Sequence, residues 1–303
     1  MISSRTRYVE IDVQSALNKV TSQYLDMRWS LNPYRGCKHG CVYSYARYTH
    51  TFFELDPDRD FAAVVFVKRN LPEVLRRELR KRTWKREKVN IGTATDPYQP
   101  IEGRYRLTQA ALHILRDQLT PASLVTKNTL CLRDADLMAS LHRAAGFSLC
   151  ISLITVDEVL ARSLEPDVPP PGQRLRVVRE LSRLGVPVSV AIAPVMPGLT
   201  DGEAGLRDLI QAIYDHGGRL GFHQTFKMYA DTRKTLFAWL EREYPHLLPW
   251  YQRVYAAGGQ APRAYERKLA ARIARIREEI APRAPQPPPT AFPAGQLTLG
   301  FSF

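Results

Sequence analysis

Apolar residues along the chain alternate between two rhythms. Short apolar runs, most of them rich in valine, isoleucine and leucine, stand at 62–67, from Val89, and at 123–127, 147–155 and 187–194, with more mixed ones at 27–31 and 219–228. Runs of that length and make-up predict strands covered on both faces. Between them apolar positions recur every three to four residues, as in Leu107, Ala111, Leu112 and Leu115. That spacing predicts helices over 71–82, 107–119, 134–145, 157–164, 173–184, 202–216, 232–243 and 246–256. Pro72 suits the first turn of the first of these, and Pro169-Pro170-Pro171 separates two others. Strands alternating with helices predict parallel βαβ units in an α/β fold.

The same pattern divides the chain. Residues 1–31 read as an N-terminal extension and 32–257 as the α/β body. Residues 258–281 hold a basic amphipathic helix from about 262, and 282–303 form a tail. Proline is too frequent over 282–295 for a core, so this stretch predicts a stiff spacer. Apolar character returns only at its end, in Gln296, Leu297, Leu299 and Phe301.

At 303 residues, with 45% hydrophobic and 24% charged residues, the composition is that of a globular protein with a sizeable core. No apolar run reaches the roughly 18 residues of a membrane span, and the first residues lack the apolar centre of a signal peptide. Four cysteines do not make a disulfide framework, and Cys131 and Cys150, in apolar runs, predict core positions. A cytoplasmic protein without membrane contact fits these features. The net charge of +13 favours an anionic partner, nucleic acid being the commonest. Basic residues are densest between Arg76 and Lys88, and tyrosines among basic residues can stack on exposed bases. A solvated helix face is the alternative reading of that segment.

The chemistry concentrates in one loop, Asn32-Pro33-Tyr34-Arg35-Gly36-Cys37-Lys38-His39-Gly40-Cys41-Val42-Tyr43-Ser44. Three residues separate the two cysteines, a glycine precedes each, and Ser44 follows the aromatic Tyr43. Iron–sulfur clusters are held by cysteine thiolates, and two thiols this close on one turn suit such a site. Three further segments follow in order: Thr-Asp-Pro-Tyr-Gln-Pro-Ile-Glu at 95–102, Val-Thr-Lys at 125–127, and Ala-Pro-Val-Met-Pro-Gly-Leu-Thr-Asp at 193–201.

Together these four segments resemble the spore photoproduct lyase-like group of the radical S-adenosylmethionine superfamily, over about residues 5–255. The resemblance implies a partial (β/α)6 barrel of the TIM type, with the site at the C-terminal ends of the strands. It implies a 4Fe–4S cluster on Cys37, Cys41 and the position of Ser44, and S-adenosylmethionine as the second cofactor. In the family one iron left free by the protein chelates S-adenosylmethionine, whose reductive cleavage gives a 5′-deoxyadenosyl radical. The resemblance places Tyr43 near the adenine and Thr95 and Asp96 as acceptors for the methionine ammonium. Lys127 becomes the partner of the methionine carboxylate, and Ser152 a partner of the ribose. It also implies an electron donor such as flavodoxin or ferredoxin, and DNA or another nucleic acid as substrate. A peptide or small-molecule substrate, or a nucleic-acid-binding protein without a cluster, are the other readings.

Two positions depart from the pattern. Ser44 stands where the family has its third cysteine; a hydroxyl is a harder and far less acidic ligand than a thiol. It marks either a replaced cysteine or a natural variant whose cluster is impaired or absent. Thr93 stands where spore photoproduct lyases carry a cysteine that returns hydrogen to the product, and an O–H bond is too strong for that task. Tyr98 is the nearby phenol that offers a substitute, or else a structural tyrosine. His223 and Gln224, on the last predicted strand, are candidates for substrate contact, with a core histidine as the alternative for His223. Finally, Gln296-Leu297-Thr298-Leu299-Gly300-Phe301 resembles the peptide that docks on the bacterial sliding clamp, an apolar anchor on a tether.

Overall fold

The computed structural model describes residues 6–21, 27–256 and 258–281. The tail peptide of Gln296, Leu297, Leu299 and Phe301 lies outside the described residues. Ten strands and ten α-helices follow in order: β1 (Arg7–Ile11), β2 (Leu17–Lys19), β3 (Trp29–Leu31), β4 (Tyr34–Arg35), β5 (Val64–Lys68), α1 (Leu71–Leu79), β6 (Val89–Ile91), α2 (Glu102–Tyr105), α3 (Leu107–Asp117) and β7 (Ala122–Thr126). Then come α4 (Ala135–Ala145), β8 (Phe147–Ser152), α5 (Glu158–Leu164), α6 (Pro171–Arg183), β9 (Val188–Val195), α7 (Glu203–Asp215), β10 (Arg219–Thr225), α8 (Ala230–Glu243), α9 (Leu248–Val254) and α10 (Arg263–Ile280).

The main sheet runs β10-β9-β8-β7-β6-β3-β2. Its six strands from β3 to β10 are parallel, and only the short β2 pairs antiparallel, on β3. This is the predicted α/β arrangement, six βα repeats in an open sheet. Near-continuous apolar strands such as Val188–Val195 are covered on both faces, as the run pattern required. Helices stop where local chemistry stops them. The Asp157 carboxylate caps α5 by accepting from the amides of Val159 and Leu160 at 2.9 and 3.0 Å, and α6 begins at Pro171, where a missing N–H costs nothing.

Three placements go beyond the strand–helix pattern. The apolar run at 62–67 forms a strand outside the main sheet: β5 pairs parallel with β1 and antiparallel with β4 in a separate three-stranded sheet. Part of the N-terminal extension is thus woven into the fold beside the cysteine loop. The basic segment Arg76–Lys88 joins the end of α1 to the start of β6. Its exposed arginines and lysines therefore lie at the end of the sheet away from the strand C-termini. The basic helix α10 is no free-standing element, since Leu269, Ile273, Ile276 and Ile280 are buried in the same core as α7.

Candidate functional site

The cysteine loop leaves β3 and β4 at their C-terminal side and is tied down by the segment after β6. Gly36, at φ +82°, is the hinge: a Cβ there would meet the Val64 carbonyl oxygen at 2.6 Å, so only glycine fits. The buried Gln99 amide donates to the Gly36 carbonyl at 3.1 Å and to Thr95 Oγ1 at 3.0 Å, while its oxygen accepts from the Lys38 amide at 3.0 Å. Thr95 Oγ1 donates to the same Gly36 carbonyl at 2.6 Å. Asn32 accepts from the Ala94 amide at 2.9 Å and donates to Thr93 Oγ1 at 3.1 Å. Two motifs distant in sequence thus form one cross-linked unit. Gly92, at φ +87°, lets the second of them turn tightly against β7, because a Cβ there would meet the Val125 carbonyl at 2.5 Å.

A cavity opens at the C-terminal ends of the parallel strands. Cys37, Cys41, Tyr43 and Ser44 line it from the loop; Thr93, Thr95 and Asp96 from the segment after β6; Lys127 from the end of β7; and Ser152 from the end of β8. These sequence candidates therefore converge. The Ser44 amide donates to the Cys41 carbonyl at 3.2 Å and the Gly40 amide to that of Cys37 at 3.3 Å. Successive turns thus present residues 37, 41 and 44 to one space. Burial pushes the Cys41 thiol up to about 12, with Lys127 opposing the rise. A bound cation would have to supply the charge that stabilises its thiolate.

The donor set suits a thiolate-bound cluster at Cys37 and Cys41, both buried and both on the cavity wall. At the third place Ser44 lines the same cavity and offers a hard oxygen. Among the described residues no three His, Cys, Asp or Glu side chains group as metal ligands, in keeping with Ser44 there.

Beside the loop sits a charge cluster. Lys127 Nζ donates to Ser152 Oγ at 2.6 Å, to Glu165 Oε1 at 2.9 Å and to the Tyr43 hydroxyl at 3.1 Å. The Tyr43 hydroxyl donates to Glu165. Arg174 Nη2 stands 2.7 Å from Glu165 Oε2, an ion pair without hydrogen-bond alignment, and Arg174 Nη1 donates to the Ser152 carbonyl at 2.9 Å. Burial alone would raise the Glu165 carboxyl; Arg174, Lys127 and the Tyr43 hydroxyl bring it down to about 2. Burial and the neighbouring Glu165 carboxylate hold Tyr43 well above the usual phenol range, so it stays a neutral donor.

Asp96 lines the cavity and is also held from within the protein. Oδ1 accepts from the Tyr98 amide at 2.9 Å and from Thr126 Oγ1 at 2.7 Å, and Oδ2 from the Lys127 amide at 2.7 Å, with His39 Nδ1 at 3.4 Å. Of the roughly four lone-pair sites of a carboxylate, these hydrogen bonds take three, and His39 Nδ1 stands near without hydrogen-bond alignment. Burial would raise this carboxyl, yet His39 and the donated hydrogen bonds keep it below the ordinary value. Asp96 thus holds β7 and His39 in place.

Tyr98 does not line the cavity: it is fully buried, and its hydroxyl donates to Asp134 Oδ2 at 2.9 Å. It is the structural tyrosine of the two readings. Gln224 lines the cavity and His223 does not, because successive strand residues face opposite ways. Cys150, expected in the core, is buried but on the cavity wall. Glu165, Arg174 and Gln99 escaped sequence reasoning. Gln99 sits inside a quoted motif, whereas Glu165 stands between a helix end and a proline-rich turn, where nothing in the spacing marks it.

The family model of the radical SAM superfamily matches residues 31–210. An uncharacterised protein of Mycobacterium tuberculosis is 38% identical over 270 residues, covering 88% of this chain and 78% of that protein. One of Methanocaldococcus jannaschii is 25% identical over 202 residues, covering 67% and 73%. Among solved structures, a spore photoproduct lyase variant with bound AdoMet and dinucleoside spore photoproduct aligns with a TM-score of 0.65 at 16% identity. It covers 90% of this chain and 79% of that one. At that identity the likeness is one of fold. No helix among the described residues is long and apolar enough to cross a membrane.

Proposed function

The chain belongs to the radical S-adenosylmethionine superfamily, and from that premise we propose that it binds an iron–sulfur cluster and S-adenosylmethionine in this cavity for radical chemistry on a nucleic acid. The observation that carries the reading is the meeting of Cys37, Cys41 and Ser44 with Tyr43, Lys127 and Ser152 around one cavity at the strand ends. Cys37 and Cys41 would hold the cluster by their thiolates, with the Ser44 hydroxyl as a weak third ligand. When bound, the cluster supplies the electron that cleaves S-adenosylmethionine to a 5′-deoxyadenosyl radical.

The chain's own residues do the rest by position and charge. Lys127 and Arg174 bring two positive charges to the single negative one of Glu165. One positive charge is left over, and Lys127 presents it to the cavity, where a methionine carboxylate is a fitting guest. Tyr43 offers a ring on the same wall, and Lys127 lies over that ring at 5.4 Å. The Ser152 hydroxyl holds Lys127 and is within the cavity for a ribose. Asp96, on the same wall, orients Lys127 through its amide and is paired with His39.

Anaerobic reconstitution of this chain and of Ser44→Cys tests the cluster. Ser44→Cys should retain about four irons with absorbance near 400 nm and cleave S-adenosylmethionine on reduction, as three thiolates hold such a cluster. The unaltered chain should retain fewer. A Ser44→Cys protein that takes up no iron would remove the reading.

Support for nucleic acid is the net charge of +13 and the fold shared with a lyase solved with a dinucleoside spore photoproduct, not the basic segment Arg76–Lys88, which lies at the far end of the sheet. Binding to single-stranded and duplex DNA should fall steeply between about 50 and 200 mM salt as counterions return. Binding that ignores salt, or none at low salt, would favour a peptide or small-molecule substrate. An electron donor of the flavodoxin or ferredoxin kind belongs to the same proposal.

A further inference from the structure

The segment after α5 runs alongside the cysteine loop on its outer side. The Val42 amide donates to the Leu164 carbonyl at 3.0 Å, the Asp167 amide to the His39 carbonyl at 3.4 Å, and Lys38 Nζ pairs with Asp167 at 3.1 Å. Cys41, Val42 and Tyr43 share an apolar cluster with Leu160 and Leu164. Residues 164–167 therefore brace the loop along its length. In the middle of this brace Glu165 turns inward and is 1% exposed.

Its three partners come from three separate places: Tyr43 from the loop, Lys127 from the end of β7, and Arg174 from α6, which also grips the carbonyl of Ser152 at the end of β8. Among the described residues no other acid lies within 4 Å of Lys127 Nζ or of the Arg174 guanidinium. Free of Glu165, a lysine on a flexible four-carbon stem would swing into the open cavity, and Tyr43 would lose the acceptor that fixes its ring.

We propose that Glu165, anchored by Arg174, is a positioning residue that sets Lys127 and Tyr43 as one unit, so that the cysteine loop and the S-adenosylmethionine pocket are aligned together. This rests on the function proposed above. The carboxylate is not on the cavity wall. It acts by fixing where the surplus positive charge of Lys127 stands and how the loop that carries Cys41 meets it. Groups one layer behind a binding site commonly have this effect, because a ligand contact made by a loose side chain loses its geometry.

The test is equilibrium binding of S-adenosylmethionine, by calorimetry, to the anaerobically iron-reconstituted protein. Four forms are compared: unaltered, Glu165→Gln, Lys127→Met and the double variant. Each single variant should bind on the order of tenfold more weakly, and the double variant no more weakly than the worse single, because both disable the same unit. A purely structural role for Glu165 predicts a lower melting temperature with unchanged affinity in the folded protein, or losses that multiply in the double variant; either result overturns the proposal. If Glu165→Gln does not fold, Arg174→Lys, which keeps a charge but loses the fork, enters the same cycle with the same expectation. Binding to the unaltered protein with full affinity in Glu165→Gln removes this inference alone. If the unaltered protein does not bind, the same cycle is run in Ser44→Cys, and no binding there removes the cofactor reading and this inference with it.

Discussion

Two buried acid–arginine–tyrosine clusters stand in this molecule, built from the same parts to opposite ends. The cluster at the cavity has one acid, Glu165, and two cations, Lys127 and Arg174. The second lies under α3, where Glu102 and Asp134 share a single arginine, Arg133, at 2.9 and 2.7 Å. Its leftover charge is negative, and neutral donors absorb it. Glu102 accepts from the Tyr34 hydroxyl at 2.5 Å and from the amides of Thr108 and Gln109 at 3.0 and 3.2 Å. Asp134 accepts from the Tyr98 hydroxyl at 2.9 Å and the Gln109 side chain at 2.5 Å. Neither carboxylate reaches the cavity. In the first cluster the surplus faces a space a ligand can fill; in the second it is quenched by the protein and closed off. Burial of the acids is therefore alike in both, and what separates a candidate site from a structural knot is the sign and direction of the charge left over.

The largest expected effect that probes this contrast is on stability. In Glu102→Gln one carboxylate oxygen becomes an amide NH2, while four donors still point at the pair of atoms. At least one buried donor then loses its acceptor, while Arg133 keeps Asp134 as its counter-charge. The variant should lose about 2 kcal/mol, several degrees in melting temperature, the cost of a buried donor left unpaired. Its affinity for S-adenosylmethionine, measured on the folded protein, should be unchanged. Glu165→Gln should show the reverse balance, because the Lys127 side chain is 16% exposed and can regain water at the cavity. Equal loss of affinity in both variants would dissolve the distinction.

Much of this was legible in the sequence, and the limits have physical causes. Strand–helix alternation gave the parallel sheet, since apolar periodicity reports directly which faces are covered. Helix bounds from proline and glycine fell close, with α6 starting at Pro171 and α10 within two residues of its predicted ends. The strand β5 was recognised as a strand but its partners were not: an apolar run encodes burial, not which edge it pairs with, and here β1 and β4 supplied the edges. Cys37, Cys41, Tyr43, Lys127 and Ser152 were found through motifs, and the fold brings them together. Glu165 was not, because a buried acid looks the same in sequence as the solvated ones around it until α6 delivers Arg174 to its side. Tyr98 shows the converse error. Proximity in sequence to Thr93 and Asp96 suggested a place in the chemistry, but the turn at Pro97 sends its side chain to Asp134.

That last residue gives the smallest and most discriminating prediction. In Tyr98→Phe the ring still fills its site and only the hydroxyl is lost. Asp134 Oδ2 keeps Arg133 Nη2 at 2.7 Å, and Oδ1 keeps Arg133 Nε at 2.9 Å, so no acceptor is stranded. The cost should be about 1 kcal/mol, that of one satisfied hydrogen bond, read as a small shift in the denaturation midpoint. Burial and the adjacent Asp134 carboxylate hold this phenol well above its usual range, so it is protonated at any working pH and has no titration to contribute. Iron retention, S-adenosylmethionine affinity and 5′-deoxyadenosine yield in the Ser44→Cys background should match those of Ser44→Cys alone. A fall in the yield with stability and affinity intact would mean that the phenol does take part in the radical chemistry. The sealed cluster would then be a conduit to the cavity, and the division between the two clusters would fail at its most exposed point.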